Sequence, residues 1–263
     1  MAAGRFADGW LSADGQILSS DFATSLVGAS VLDTVKLYAV PIPPRVYNQG
    51  VATTAIGAGV AEGKPKPVTH FTINTANATP LKGIAIAAFG SGLLSDPTAS
   101  ALIELELRKA SIAASDGAFL AGFTITPATG GNTAMEDLVA GLKAAGAGRE
   151  FVVAAPADWT RELALACDGR MAVSGGQPFP GVTVVGTSQV TKPTVIVADH
   201  VGLADLGIRM DHAEHATLQM DSAPDNPATA STVMTSLWQQ NLTGVLVERQ
   251  FHVVFGANAV EVS

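Results

Sequence analysis

The chain contains 263 residues with a formal net charge of −8, and only 14% of its residues are charged. This length suffices for one large domain or two small ones without metal or disulfide staples, and the single cysteine, Cys167, excludes an internal disulfide. The acidic balance argues against a domain that grips nucleic acid through its phosphates, although it leaves room for a container of nucleic acid.

The neutral composition predicts a soluble protein with subunit contacts. Charged residues are too few to cover the surface, and neutral surface in quantity is typical of protein interfaces. Residues 1–21 lack the apolar core of a signal peptide, and the longest apolar run, residues 84–94, is too short to cross a bilayer. We therefore expect no membrane association.

Residues 1–45 are predicted to form an N-terminal arm. Gly, Ala, Ser and Asp dominate the first 30 residues, among which only scattered apolar anchors stand. One anchor, Trp10, is a candidate inter-subunit contact that would fill a pocket on another molecule, or else it clusters locally with Phe6. Three prolines in residues 37–47 predict an irregular segment or an edge strand there.

Residues 46–74 are predicted to form a long β-hairpin. Residues 51–60 are small and apolar, residues 68–74 alternate, and Lys64-Pro65-Lys66-Pro67 supplies a turn. A two-stranded hairpin is marginally stable alone and needs a neighbour to lie on. Lys64 and Lys66 are candidate contacts to an acidic neighbouring subunit, or they are solvated turn residues.

The clearest helix is predicted from Asp96-Pro97 to about Gly122. Asp is a favourable N-cap, and proline suits the first helical position. About 25 residues with a rise of about 1.5 Å each give a helix of roughly 37 Å. Helical spacing places Glu104 and Arg108 as an outward pair. It assigns one inward face to Ile103, Leu107, Ala110, Ala114 and Gly117.

Residues 126–226 are predicted to form an inserted α/β domain. Breaks rich in Gly or Pro bracket it near residues 126 and 222. Its predicted helices cover 134–145 and 157–166, and its predicted strands cover 151–155, 181–185, 194–198, 206–210 and 216–220. The flanking residues, 75–125 and 227–263, would then form the other domain together.

The C-terminal stretch predicts a long strand that ties the chain end into a sheet. The dipeptide Ala259-Val260 lies almost at the last residue, where most soluble enzymes have a helix or a polar tail. Alternation assigns one face, apolar except for its arginine, to Val245, Val247, Arg249, Phe251 and Val253. The chain end is therefore expected to be structural.

The order and spacing of short motifs from about residue 22 to residue 263 resemble those of the major capsid proteins of tailed bacteriophages with the HK97 fold. Two motifs depart from the family pattern, since Ala155 replaces a usual asparagine and Thr183 a usual proline. The six motifs correspond, in chain order, to a hairpin tip, the end of the spine helix, the start of a helix, a strand, a short motif with the strand that follows it, and the closing strand. They are Val60-Ala61-Glu62-Gly63-Lys64-Pro65, Asp116-Gly117-Ala118-Phe119-Leu120-Ala121-Gly122, Pro156-Ala157-Asp158-Trp159, Gly181-Val182-Thr183-Val184-Val185, Asp199-His200 with Ile208-Arg209-Met210-Asp211, and Glu248-Arg249 with Ala259-Val260.

The resemblance implies an α+β, HK97-like capsid fold with an N-terminal arm, an extended β-hairpin loop, a peripheral domain with a long spine helix, and an axial α/β domain. It implies a structural major capsid protein, not an enzyme, that self-assembles as hexamers and pentamers into an icosahedral shell enclosing phage double-stranded DNA. Implied partners are further copies of the chain, a portal and a separate scaffolding protein, and whether a decoration protein also binds stays open. The protein would assemble in the host bacterial cytoplasm and reside in the virion.

Some family members join the hairpin to a neighbour through a Lys–Asn isopeptide bond that a buried glutamate promotes. Lys66 matches the lysine of this bond. Counting back from Glu248-Arg249, Gln240 stands at the asparagine position with Asn241 beside it, and Val247 stands at the position of the glutamate. Lys66, Gln240 and Asn241 are thus the crosslink candidates, but Val247 argues against the bond. Glu248 and Arg249 are candidate inter-subunit contacts.

Two alternatives stay open at this point. An encapsulin, a cellular nanocompartment with the same fold, would enclose a protein cargo instead of DNA. From a different class, a metal-dependent α/β hydrolase could use His200, His212 and His215, because histidines with neighbouring acids can ligate zinc. Separately, residues 129–132 precede a helix and could hold an anion, or they form a hinge.

Overall fold

The computed structural model describes residues 30–43, 48–55, 71–90, 97–221 and 224–263. The α-helices of this part of the chain are α1 (Val31–Lys36), α2 (Pro97–Ala121), α3 (Ala134–Ala145) and α4 (Ala157–Ala166). The strands are β1 (Val40–Pro41), β2 (Asn48–Ala55), β3 (Phe71–Asn77), β4 (Thr79–Gly90), β5 (Ile125–Ala128), β6 (Phe151–Ala155), β7 (Gly175–Phe179), β8 (Val182–Gly186), β9 (Thr194–Val197), β10 (Val201–Ala213), β11 (Thr217–Gln219), β12 (Met234–Ser236), β13 (Leu242–Phe255) and β14 (Ala259–Val262). Trp10, Lys64, Lys66 and Asp96 lie outside the described residues.

The described strands form two sheets and two ribbons. The larger sheet has six strands in the order β5-β14-β9-β6-β8-β7, and the smaller has four in the order β1-β10-β13-β4. Strand β6 pairs in parallel with β8 and antiparallel with β9, and β14 pairs in parallel with β5. Helices combined with mixed sheets give the α+β class that the sequence predicts.

Strands β2 and β3 form one of the ribbons and lie where the sequence predicts a hairpin. They pair antiparallel from Asn48 opposite Asn77 to Ala55 opposite Phe71. The predicted turn at Lys64-Pro65-Lys66-Pro67 lies outside the described residues. The antiparallel pairing is therefore confirmed for the two strands themselves.

The C-terminal strands confirm the predicted alternation. Every residue of the predicted inner face of β13 is at most 3% exposed: Val245, Val247, Arg249, Phe251 and Val253. Strand β14 pairs with β5 on one side and with β9 on the other. The end of the chain is thus held inside the six-stranded sheet, as expected.

The long helix α2 is confirmed, but its buried face differs from the predicted one. The first two predicted positions are buried, whereas Ala110 is exposed and Ala114 and Gly117 are only half-buried. Ser111 and Ser115 continue the buried row instead, at a spacing of four residues. Neither this helix nor any other described one is apolar over a length sufficient to cross a membrane.

Strand β4 packs closely against this serine row. A Cβ atom on Gly83 would lie 2.6 Å from the Cα of Ser115. That distance is far below van der Waals contact, so the strand position requires a residue without a side chain. The two backbones can approach closely because the helix has a small side chain at this point and the strand has a glycine. A search for the spacing of large apolar residues does not detect such a contact.

The elements of the predicted α/β segment are largely confirmed. Helices α3 and α4 and strand β6 have the predicted bounds, β8 is shifted by one residue at both ends, and β9 ends one residue earlier than predicted. The predicted strand 206–210 lies within the longer β10, and only three residues of the predicted strand 216–220 belong to β11. Helix α1 and strands β4, β5, β7 and β12 have no counterpart in the sequence prediction.

The end of the predicted arm is folded instead of extended. Residues 30–43 contain α1 and β1, and Val31, Leu32 and Val35 are fully buried. A helix of only six residues inside a segment rich in Gly, Ala, Ser and Asp offers too short a pattern to recognise. Strand β1 lies at the edge of the four-stranded sheet, where proline is tolerated, in agreement with the edge strand predicted for residues 37–47.

By backbone contacts the chain divides into two compact units. The first contains Lys82–Ser115 and Gly207–Gln250, and the second contains the described residues before Lys82 together with Asp116–Leu206 and Phe251–Ser263. These divisions fall within β4, α2, β10 and β13, whereas the predicted boundaries follow loops near residues 126 and 222. A long element that contributes to two cores carries no turn signal at the point of division, so the sequence places the boundary elsewhere.

Each unit has its own apolar core. The core of the first unit consists of Ile103, Leu107, Ile208, Val245 and Val247. The core of the second unit lies on both faces of the six-stranded sheet, because alternate residues of β6 point to opposite sides. Val152 and Ala154 pack with Phe119 and Phe251, whereas the intervening residues of β6 pack with side chains of α3 and α4.

Candidate functional site

A buried carboxylate joins the start of α1 to the long helix. Asp116 lies on α2 and is 1% exposed. Its Oδ1 accepts hydrogen bonds from Ser30 Oγ at 2.6 Å and from Leu32 N at 3.0 Å, and its Oδ2 accepts one from Val31 N at 2.9 Å. Ser30 Oγ also caps α1 by accepting a bond from Asp33 N at 3.2 Å. The otherwise unpaired donors at this helix start are therefore satisfied inside the protein.

Burial raises the pKa of Asp116 above its usual range. The hydrogen bonds from Leu32, Ser30 and Val31 lower this pKa, and the Asp33 carboxylate raises it, but desolvation is the largest effect. The folded chain therefore holds a proton on this carboxyl group at a higher pH than the unfolded chain does. The acidic residue of the helix-end motif thus has a structural task, which is to anchor α1.

The loop before α3 is stabilised by carboxylates of the chain itself. Three backbone N–H groups donate to carboxylate oxygens at 2.7–2.9 Å: Gly131 to Asp137, Asn132 to Glu136 and Ala134 to Glu162. A side chain at Gly131 would collide with Glu136. The donors that a bound anion would need already carry intramolecular bonds, so the structure does not support an anion site at residues 129–132.

Trp159 connects the two helices that cover one face of the six-stranded sheet. It belongs to the motif Pro156-Ala157-Asp158-Trp159 at the start of α4 and is 8% exposed. Its indole Nε1 donates to Asp137 Oδ2 at 3.1 Å, while the other oxygen of Asp137 accepts from the loop before α3. One carboxylate therefore fixes the loop and both helices together.

Glu248, a candidate inter-subunit contact, forms an ion pair within the chain. Lys82 Nζ lies 2.8 Å from Glu248 Oε1, and Gln250 Nε2 donates to the same oxygen at 2.6 Å. These bonds from Lys82 and Gln250 lower the pKa of Glu248. The lysine side chain is 57% exposed, so the pair lies at the surface. Contact of Glu248 with a second subunit stays a prediction.

Arg249, the other candidate of this motif, lies on the buried face of β13. Its side chain is 3% exposed within a single chain. A neighbouring subunit could reach it only if the strand moved. Its burial therefore speaks against a direct inter-subunit contact and for a role inside the fold.

The crosslink candidates occupy different environments. Gln240 and Asn241 are exposed in the turn before β13, and Asn241 has a φ of 52°, a left-handed conformation that asparagine tolerates. Val247, at the position of the promoting glutamate, is 1% exposed and carries no ionisable group. Lys66 lies outside the described residues. The absence of the bond therefore stays a prediction, to be tested on assembled particles.

The three histidines of the hydrolase alternative lie in separate elements. His200 ends a short 3-10 helix, Ala198–His200, while His212 lies near the end of β10 and His215 in the bend after it. The ring of His215 stands 6.5 Å from that of Trp238, centroid to centroid. Among the described residues, no group of three or more His, Cys, Asp or Glu side chains is placed to hold a metal ion.

The ribbon of β11 and β12 carries exposed apolar side chains that sequence analysis misses. The two strands pair antiparallel from Thr217 opposite Ser236 to Gln219 opposite Met234. On or beside them lie four large apolar residues that we call the ribbon surface: Met220, Val233, Met234 and Trp238, with 56%, 78%, 52% and 69% exposure. The sequence signal is a tryptophan with two methionines in a stretch that lacks lysine and arginine.

A pocket of about 420 Å³ lies at the end of α3, between this helix and the starts of β6 and β8. We call it the α3 pocket. Its lining includes the apolar residues Val139, Leu142, Phe151 and Val182 together with two exposed cations, Lys143 and Arg149. These two cations form no ion pair with any described residue, so the pocket combines apolar surface with positive charge.

The chain is similar to the capsid polyprotein of Pseudomonas phage PAJU2. The two sequences are 30% identical over 287 aligned positions, which cover 92% of this chain and 42% of the polyprotein. The chain thus spans less than half the length of this curated relative. No protein-family model matches the chain.

Solved structures of the same fold come from phages of Mycobacterium. Chains from the phages Adephagia, Cain and Bobi match with TM-scores of 0.54, 0.53 and 0.51. The matches cover 90% of this chain and 90–91% of the other chains at 14–15% sequence identity. The chain has the HK97-like capsid fold, and the resemblance to HK97-fold capsid proteins that its motifs indicate is confirmed.

Proposed function

We propose that this chain is the major capsid protein of a tailed phage and self-assembles as hexamers and pentamers into an icosahedral shell around double-stranded DNA. The observation that carries the proposal is the similarity to a phage capsid polyprotein over 92% of the chain. The HK97-like fold supports the proposal, because this chain shares it with a chain from Mycobacterium phage Adephagia over 90% of both chains, even though the two sequences are only 14% identical. The proposal concerns the part of the polyprotein that this chain matches.

The surface of the chain suits a role in assembly. Large apolar side chains remain exposed in each unit, among them Leu37 at 70%, Leu165 at 75%, Val233 at 78% and Trp238 at 69%. Val233 and Trp238 lie together on the ribbon surface, and a cluster of exposed apolar side chains often marks a binding site. The β2–β3 ribbon also needs a surface to lie on, since two strands alone are marginally stable. Neighbouring copies in a shell would supply both.

Within such a shell we assign the segments the roles that the resemblance implies. Residues 1–29 and the hairpin at 46–74 would reach over neighbouring copies, residues 75–125 and 227–263 would form the peripheral part, and residues 126–226 the axial part. A portal and a separate scaffolding protein would take part in assembly of the shell, which forms in the host bacterial cytoplasm and persists in the virion. The role is structural and includes no catalytic step.

Electron microscopy of the purified protein tests this proposal. We expect closed particles of uniform diameter. A species of one or a few copies under all assembly conditions would contradict the proposal. DNA inside particles from infected cells would support the phage capsid, whereas a defined protein cargo in its place would favour an encapsulin.

A further inference from the structure

The ribbon surface lies in the longest stretch of the chain without lysine or arginine. Between Arg209 and Arg249 no lysine or arginine occurs, while five acidic residues do: Asp211, Glu214, Asp221, Asp225 and Glu248. Asp221 and Asp225 line a pocket together with Met220 and Val233 of the ribbon surface. Tryptophan and methionine are enriched at the centres of protein interfaces. A partner for this surface must therefore offer apolar area together with positive charge.

A second ribbon surface does not meet this requirement. Two ribbons in contact would bring Asp221 and Asp225 of each copy close to those of the other, and like charges across an interface oppose association. A contact between two copies would therefore join the ribbon surface to a different part of the second copy. Such a heterologous contact repeats from copy to copy and can close a ring.

The α3 pocket offers both required properties. Its apolar lining is open to solvent, and Val139 is 42% exposed at its edge. Lys143 and Arg149 are available there because no described carboxylate pairs with them. Five other described cations already have a carboxylate within 3.5 Å: Lys36, Lys82, Lys109, Lys192 and Arg209. Arg161 and Arg170 resemble the pocket cations in forming no ion pair with a described residue, but neither lines the α3 pocket. The α3 pocket thus joins apolar surface to cations that are not yet paired.

We infer that the ribbon surface of one copy docks on the α3 pocket of another copy, with Asp221 and Asp225 facing Lys143 and Arg149. The inference rests on the proposed function, which supplies the second copy. Apolar side chains of the ribbon surface enter the pocket, and Trp238 loses its exposure to water. The opposite charges orient the two copies, because each copy offers a ribbon to one neighbour and a pocket to the next.

Charge reversal of the two partners tests this contact on the full chain. A ribbon variant carries Asp221→Lys and Asp225→Lys, and a pocket variant carries Lys143→Glu and Arg149→Glu. We expect each to weaken self-association about tenfold or more in sedimentation velocity, and the chain that carries all four changes to recover it. A matched control, Asp158→Lys with Arg161→Glu on α4, alters two exposed charges outside both surfaces and should associate like the wild type.

Folding and function are separated by further measurements. Circular dichroism identifies any variant that fails to fold. If the charge-reversed ribbon variant does not fold, Met220→Ser with Val233→Ser takes its place, and this variant should weaken association to the same extent. Recovery in the four-residue variant supports the contact, and a fluorescence blue shift on assembly that Trp238→Phe abolishes supports the burial of Trp238. Wild-type-like association of both reversals, or no recovery when they are combined, overturns this inference alone. A wild type that never associates overturns the proposed function as well.

Discussion

Ser30 and Asp116 are joined by a buried hydrogen bond of 2.6 Å that spans 86 positions of sequence. The bond links the residue that caps α1 to a carboxylate near the end of the long helix. Because Asp116 also accepts from Val31 N and Leu32 N, the start of α1 is held by three bonds to one side chain. The segment that composition assigns to an arm is therefore fixed to the second unit from residue 30 onward.

Replacement of Asp116 by alanine should destabilise the folded chain. Three donors at the start of α1 would lose their acceptor inside the protein, and we expect a loss of about 1–3 kcal/mol in the free energy of unfolding. Urea denaturation of the unassembled chain at neutral pH measures this loss. The control is Asp158→Ala at an exposed position of α4, which should change stability by about 0.5 kcal/mol or less. Equal effects of the two substitutions would show that Asp116 does not anchor α1.

The raised pKa of Asp116 predicts the sign of a pH effect. The folded chain binds the proton more tightly than the unfolded chain, so the stability from this group is fully present below the ordinary pKa of 3.8 and declines as pH rises through the folded value. Relative to Asp116→Asn, which does not titrate, the wild type should gain stability on acidification from neutral pH to below 3.8. Denaturation curves of both proteins across this range measure the difference, and a relative loss on acidification would refute the direction.

Glu248 should show the opposite pH dependence. Its pKa is lowered by bonds from Lys82 and Gln250, so the stability it contributes is present above its ordinary value of 4.5 and is lost as pH falls through the folded pKa. The advantage of the wild type over Glu248→Gln should shrink below pH 4.5 and with added salt, because the lysine partner is solvent-exposed. In a Lys82→Met background the dependence should weaken, and an unchanged profile there would contradict the ion pair as its main cause.

Gly83 should not tolerate a side chain. Alanine at this position would bring its Cβ to 2.6 Å from the Cα of Ser115, and backbone atoms cannot move aside without separating β4 from α2. We expect Gly83→Ala to cost about 1–3 kcal/mol in the free energy of unfolding. Gly90→Ala on the same strand is the matched control, because a Cβ there would meet no atom within 4 Å. Equal stability of the two variants would mean that helix and strand lie farther apart than described.

The sequence predicts best where one physical pattern decides the structure. On β13, alternation alone assigns the buried face, and even Arg249 lies on the predicted side. The bounds of α3 and α4 follow from helical periodicity with clear start and stop signals. In these elements local pattern and tertiary burial agree, so no knowledge of distant contacts is needed.

Prediction fails where distant contacts decide. The buried row of α2 runs through Ser111 and Ser115, and Gly83 of strand β4 lies against Ser115. A rule based on the spacing of apolar residues selects the exposed Ala110 instead. Helix α1 depends on Asp116, which is far away in sequence. The ribbon surface is likewise invisible in advance, since sequence does not tell whether Trp238 packs within its own chain or remains exposed.

The most direct test of the proposed shell is cryo-electron microscopy of the assembled protein at a resolution that separates subunits. We predict closed icosahedral particles whose capsomers are hexamers and pentamers of this chain, each copy having the HK97-like fold described here. Particles without this symmetry, or a protein that stays in small soluble species while folded, would contradict the assignment of a major capsid protein.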